Sequence, residues 1–223
     1  MKFNEKIDFP KRFFVAGTDT DVGKTFVSAV LMVGLKTAYW KPIQCGLAEI
    51  TDTKWVRNVT GLPDAHFLPE TYKLSKPISP HASAQSDGIQ IALESFCLPA
   101  DDQFPSLIVE GAGGVMVPLN ERHYMVDLMK QLALPVILVA RSTLGTINHT
   151  LLSLEKLRQK NIEVLGVVMN GPGNEINKTA IETYGKTPVI AEVEMLSDVN
   201  PKTLLKAYDQ YFNENPEIDV ISG

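Results

Sequence analysis

The chain has 223 residues, 44% apolar and 21% charged, and its 21 Lys and Arg against 26 Asp and Glu leave a net charge of −5. That length and balance describe a globular chain able to bury a large core. They exclude a fibre, a disordered tail and a protein that holds nucleic acid by overall charge.

In chain order, Arg12–Ala16 (RFFVA) reads as a buried strand ended by Gly17. Lys24–Lys36 reads as a helix and Thr37–Lys41 as a second strand, stopped by Pro42. Residues 61–105 carry Pro63, Pro69, Pro77, Pro80, Pro99 and Pro105 and read as a less regular insertion, with a helix over Asp87–Phe96. Ser106–Glu110, Val136–Ala140 and Glu163–Met169 are further apolar strands, and Pro188–Val193 is another candidate. Between them, Tyr124–Leu132, Thr146–Lys160 and Leu204–Phe212 have helical spacing; Ile147, Leu151, Leu154 and Leu157 share one face. Near-continuous apolar strands alternating with helices predict an α/β fold, a mostly parallel central sheet with helices on both faces. The expectation is a single domain over 1–223, with 1–11 as a lead-in and 213–223 as a tail. Ligand sites of such sheets lie at the carboxyl ends of strands.

The segment after the first strand is Gly17-Thr18-Asp19-Thr20-Asp21-Val22-Gly23-Lys24-Thr25. Strand, glycine-containing loop, Gly-Lys-Thr and helix is the layout of a phosphate loop. Gly23 lets the backbone approach a phosphate, the first N–H groups of the helix face an anion, Lys24 supplies a cation and Thr25 a hydroxyl for Mg²⁺. The loop is one residue longer than the common spacing. Its bland alternative is a capped strand–turn–helix junction.

Other candidates end other strands. Glu110 opens Gly111-Ala112-Gly113-Gly114 and is a Mg²⁺ partner or a strand-end carboxylate before a glycine turn. Asp52 has two readings, a metal carboxylate or a helix N-cap before Lys54–Val59. Asn170 precedes Gly171-Pro172-Gly173 and reads either as an adenine-pairing amide or as a turn residue. Lys41 is a charge stabiliser or a surface lysine. His66, His81, His123 and His149 lack metal-ligand spacing, and no nucleophile-elbow motif is present. Cys45 and Cys97 can form neither a zinc cluster nor a disulfide framework and suit a reducing compartment. Residues 1–10 do not read as a signal peptide, and Phe26–Leu35 is too short to span a bilayer, so a cytoplasmic protein is expected.

Taken together, these residues resemble the dethiobiotin synthetase family over about residues 12–196. The likeness rests on 17–25 with its longer loop, Lys41-Pro42 with Gly46, Ser79-Pro80-His81, Val109–Gly114, Pro135–Val139 and Leu144-Gly145-Thr146-Ile147-Asn148-His149. The resemblance implies an ATP-dependent carbon–nitrogen ligase of biotin biosynthesis. In that reaction 7,8-diaminononanoate and CO₂ form a carbamate, ATP phosphorylates it, and the second amine closes the ring. By the same resemblance Thr20, Lys24 and Lys41 are catalytic. Asp21, Val22, Gly23, Lys24, Thr25 and Phe26 cradle the phosphates, beside Gly111, Ala112 and Gly113. Thr25, Asp52 and Glu110 hold Mg²⁺; Asn170, Gly171, Glu194, Met195 and Leu196 surround the base. Lys41, Cys45, Gly145, Thr146, Ile147 and Asn148 bind the substrate, the last four across a homodimer interface. Neither nucleic acid nor membrane is an implied partner. Two residues depart from the family: Cys45 stands where Ser is usual, and Gly171 where Asp is common.

A paralogous synthetase acting on a different substrate is one rival reading, and a positioning or partitioning switch ATPase is another. Those ATPases carry an extra Lys near the loop's start, where this chain has Thr18-Asp19-Thr20. A GTPase would need an Asn-Lys-x-Asp motif, but Asn177-Lys178 runs into Thr179-Ala180. A glutamine-dependent synthetase would need a further domain.

Overall fold

The computed structural model describes residues 9–100, 104 and 106–213. Most of the lead-in (1–8), the tail from 214 and Pro105 lie outside the described residues.

The elements run β1 (Arg12–Gly17), α1 (Lys24–Leu35), β2 (Ala38–Trp40), β3 (Ile43–Cys45), α2 (Asp52–Thr60), β4 (Phe67–Leu68) and β5 (Tyr72–Leu74). They continue α3 (Pro80–Ser86), β6 (Leu107–Gly114), α4 (Met125–Leu132), β7 (Val136–Arg141), α5 (Thr146–Gln159), β8 (Val164–Asn170), α6 (Glu175–Gly185), β9 (Val189–Val193) and α7 (Pro201–Tyr211). Seven strands form one sheet in the order β4-β2-β6-β1-β7-β8-β9. Every pairing in it is parallel. A parallel sheet needs cover on both faces, because each crossover helix must pack back onto it.

The period-2 alternation of the strands divides the core in two. Phe14, Ala16, Val109 and Leu138 face the side covered by α4, α5 and α6. Phe13, Val15, Tyr39, Ile108 and Ile137 face α1, α2 and α7. The chain proceeds from β1 to one side of the sheet and later returns to the other, so β1 lies at a topological switch point. The phosphate loop leaves from that strand.

The expected α/β architecture is present, and three local expectations change. First, Asp87–Phe96 is not a helix. The helix lies earlier, at α3, started by Pro80, whose fixed φ and missing N–H suit a first turn. Asp87 instead accepts Ser75 N–H at 2.7 Å, and Leu93–Ser95 makes only a 3₁₀ turn. Second, the glycines after Glu110 do not begin a turn; β6 runs on through Gly114. Third, α6 carries no apolar run as regular as its neighbours' and was not expected. The insertion contributes β5 to a small parallel pair with β3. Arg12 ties it to the main sheet by donating to the carbonyls of Pro99 (2.9 Å), Ala100 (3.0 Å) and Phe104 (3.1 Å from Nε). No helix among the described residues is long and apolar enough to cross a membrane.

Candidate active site

The loop between β1 and α1 is held open by its neighbours. Gly23 caps α1 at φ 95°, a left-handed conformation natural to glycine, and offers no side chain to the helix end. The first N–H groups of α1 therefore remain available to an anion. A Cβ at Gly23 would overlap the Asn170 amide. That amide donates from Nδ2 to Val22 O at 3.2 Å. On the other flank Asp19 accepts Thr20 N–H at 2.7 Å through Oδ1 and pairs through Oδ2 with Arg141 Nη2 at 2.8 Å. The extra residue of the loop is thus braced by the ends of β7 and β8. Lys24 lies folded inward, donating to Asp19 O at 2.9 Å. Burial, aided by the nearby Lys41 charge, brings its pKa down to about 8. An arriving anion would relieve both effects.

Beside the loop lies a buried charged cluster. The Lys41 ammonium is 2.8 Å from Glu110 Oε1 and 2.7 Å from Asp52 Oδ2, and donates to Gly111 O at 3.0 Å. Thr25 donates to Glu110 Oε1 at 2.9 Å, and Tyr39 donates its hydroxyl to Oε2 at 3.0 Å. Glu110 is fully buried and Lys41 is 3% exposed. Burial alone would lower the lysine's pKa; the two carboxylates outweigh it and hold the ammonium charged well above its ordinary range. Burial would likewise raise Asp52, but Lys41 and hydrogen bonds from Lys41 and Thr25 hold it below the usual carboxylate value. Burial and the Glu110 charge push the Tyr39 phenol upward. Breaking such a buried pair from one side is costly, about 3–5 kcal/mol.

Several expectations resolve here. Asp52 is not the N-cap of α2: Thr51 is, accepting Lys54 N–H at 3.3 Å, and this leaves Asp52 to Lys41. Gln44 anchors that first turn by accepting Asp52 N–H at 3.0 Å. Lys41 is not a surface residue. Asn170 ends β8 and is engaged with the loop, while its Oδ1 is buried without a hydrogen-bond partner. Gly111, Ala112 and Gly113 continue β6. Glu194, Met195 and Leu196 follow β9, the first two exposed, and Gly171 follows Asn170. Cys45 ends β3, half-buried; burial pushes its thiol up to about 11 against the pull of Lys41. Gly145, Thr146, Ile147 and Asn148 start α5. Thr20 and Asp21 are exposed at the loop's crest and Phe26 is half-buried.

Tyr39, Gln44 and Arg141 escaped the sequence reading. Tyr39 had a signal: it lies two residues before Lys41, so alternation puts both on one face. Gln44 had none, because its role is set by a turn that brings Asp52 back to it, and Arg141 had none, because its partner Asp19 is distant in sequence.

The donor set suits a hard divalent cation. Thr25, Asp52 and Glu110 supply oxygens only, and Mg²⁺ is usually held by one or two carboxylates together with substrate phosphates. The described residues contain no group of three or more His, Cys, Asp or Glu able to hold a metal without such help.

A parallel sheet switching at β1, a phosphate loop and an adjoining lysine–carboxylate cluster define a P-loop nucleotide-binding domain. A family model described as an AAA domain matches residues 11–203. The ATP-dependent dethiobiotin synthetase BioD of Paramagnetospirillum magneticum is 49% identical over 86% of this chain and 91% of its own length. That of Rhodopseudomonas palustris is 44% identical over 91% of this chain and 94% of its own. Two solved structures share the fold at 12% identity: the MinC:MinD cell division complex of Aquifex aeolicus and a ParA family ATPase from Chlorobium tepidum TLS. The first has a TM-score of 0.53 over 91% of this chain and 92% of that one; the second, 0.51 over 91% of each. The chain belongs to the ATP-dependent dethiobiotin synthetase family.

Proposed function

We propose that this protein is an ATP-dependent dethiobiotin synthetase, which joins CO₂ to 7,8-diaminononanoate and closes the cyclic urea with formation of ADP and phosphate. The observation that carries this reading is the Lys41 ammonium, buried between Glu110 and Asp52 beside the P-loop threonine. A partitioning or positioning ATPase takes its extra lysine from the start of the phosphate loop, where this chain has Thr18-Asp19-Thr20; here the second lysine follows β2 instead. A ligase that must phosphorylate an anionic carbamate needs such a charge, because two negative groups have to be brought together.

On this reading the N–H groups after Gly23 and the Lys24 ammonium take the nucleotide phosphates. Thr25, Asp52 and Glu110 would hold Mg²⁺, which would neutralise phosphate charge when bound. The Lys41 ammonium, held beside both carboxylates, stabilises the carbamate and the moving phosphoryl group. Thr20 completes the loop at its crest. Asn170 and Gly171, with 194–196, border the base, and Cys45 borders the diamine. The start of α5, Gly145–Asn148, receives the substrate's distant carboxylate from a second copy. We further infer a single working domain, a homodimer and a cytoplasmic location.

The test is a product assay. Purified protein, Mg²⁺, ATP, bicarbonate and 7,8-diaminononanoate should yield dethiobiotin by mass spectrometry, and none without nucleotide. ATP hydrolysis with no dethiobiotin would overturn the substrate assignment.

A further inference from the structure

A buried carboxylate is useful in phosphoryl transfer only if it presents a chosen oxygen. Rotation of a glutamate's terminal torsion is soft and roughly two-fold, so burial alone does not select one. In this chain the two oxygens of Glu110 have different partners. Oε1 takes Thr25, from the first turn of α1, and Lys41. Oε2 takes the Tyr39 hydroxyl.

Tyr39 is a rigid donor. It sits in β2, between β4 and β6, opposite Phe67 and Ile108. It is fully buried, and its ring meets the Phe67 ring edge-on, with centroids 6.3 Å apart. The Arg57 guanidinium covers Phe67 from outside, 5.1 Å from its centroid. Parity puts Tyr39 on the same face as Ile108, and Glu110 lies two residues beyond Ile108 on that face. A tyrosine is long enough to reach this diagonal neighbour on the next strand.

We propose that Tyr39 is a positioning residue of the phosphoryl-transfer site, whose hydroxyl holds Glu110 Oε2 so that Oε1 is presented to Thr25, Lys41 and the nucleotide's divalent cation. This rests on the reading of Glu110 as a ligand of that cation. Without the hydroxyl, Oε2 is left buried and unpartnered, and the carboxylate relaxes by turning toward Lys41. The cation then loses its oriented oxygen while the phosphate loop is untouched. Groups that orient a metal ligand typically contribute about 10- to 100-fold in metal affinity.

The experiment is Mn²⁺ binding to the full chain with ADP, read from the free-ion signal by electron paramagnetic resonance. Tyr39→Phe should weaken Mn²⁺ binding by about 10- to 100-fold. ADP affinity without metal should stay within about twofold, since no phosphate contact of the loop changes. The Mg²⁺ concentration for half-maximal turnover should rise in parallel, with kcat mostly regained at saturating Mg²⁺. A lower melting temperature with unchanged Mn²⁺ affinity would mark a merely structural hydroxyl and overturn the proposal. Glu110→Gln separates the two levels: unchanged Mn²⁺ binding there overturns the reading of Glu110 itself, and the proposal with it. Should Tyr39→Phe not fold, Phe67→Leu keeps the hydroxyl but loosens the ring behind it. A smaller loss of Mn²⁺ affinity is then expected, and none would refute the role.

Discussion

Two helices of this protein start alike and end up in different surroundings. Both α1 and α5 follow a central strand, both are capped by a left-handed glycine (Gly23 at φ 95°, Gly145 at φ 93°), and neither has a side-chain cap. Around Gly23 the chain closes in: Asn170 packs on the glycine, and the Lys24 side chain is buried against the loop. Around Gly145 nothing lies within 4 Å of where a Cβ would be, and the preceding Leu144 is fully exposed. One helix start is enclosed by its own chain; the other is open to solvent. On the proposed reading the same backbone device takes a phosphate in one place and the carboxylate of a partner's substrate in the other.

The strongest way to break the finished pocket is at its lysine. Lys41→Ala should lower kcat by about 10²–10³-fold, the typical loss for one preorganised charge at a transition state. It also leaves Glu110 buried beside no cation, so the melting temperature should fall as well. Pairing Lys41→Met with Glu110→Gln should recover much of the melting temperature and none of the turnover. Restored activity in the pair would sink the assigned roles.

The glycines sharpen the comparison directly. Alanine at either position has to adopt a left-handed backbone, at about 1–2 kcal/mol. Only at Gly23 does the new methyl also meet Asn170. Gly23→Ala should therefore lose nucleotide affinity, by about tenfold or more, whereas Gly145→Ala should bind ATP normally by calorimetry. Equal losses at both sites would show that the two helix starts are not distinct.

Leu144→Asp addresses the unfinished surface. Sedimentation should move the protein toward monomer. KM for the diamine should rise about tenfold, the scale of one charge-assisted contact, with ATP affinity kept. A variant that remains dimeric with normal KM would argue against a shared site.

A pH profile probes the pocket more gently. Lys24 in the folded chain titrates near 8, below the 10.5 of a free lysine. Between those values the unfolded chain binds more protons, so this group's contribution to stability rises with pH in the empty protein. Nucleotide affinity runs the other way, since the phosphates need the charged form. It should drop about fourfold from pH 7 to pH 8.5, and Lys24→Arg should flatten the profile. The smallest effect is expected at Cys45. Its thiol is held near 11, so alkylating reagents at pH 7 should react slowly, and Cys45→Ser should retain turnover.

Much of this was legible beforehand, because it is local. The buried strands announce themselves as apolar runs, and the phosphate loop is contiguous, so Lys24 and Thr25 needed no fold to be found. Lys41 was legible as a strand-end residue, the place where a parallel sheet keeps its chemistry; Glu110 was legible as the carboxylate closing an apolar run, although β6 carries on past it to Gly114. The insertion was read less well. Its regularity comes from side chains such as Arg12 and Asp87 binding distant backbone, which leaves no periodic pattern in the sequence.

The sequence by itself determined the α/β class, the phosphate loop and which residue types stood ready at strand ends, since those follow from periodicity and short spacing. Only the tertiary structure decided their partnerships. It took Asp52 away from helix capping because Thr51 fills that role, turned Lys41 inward between two carboxylates, and set Tyr39 behind Glu110. The reason is range: a hydrogen bond or ion pair between β2 and β6 joins residues some seventy positions apart, and their adjacency exists only once the sheet order is formed.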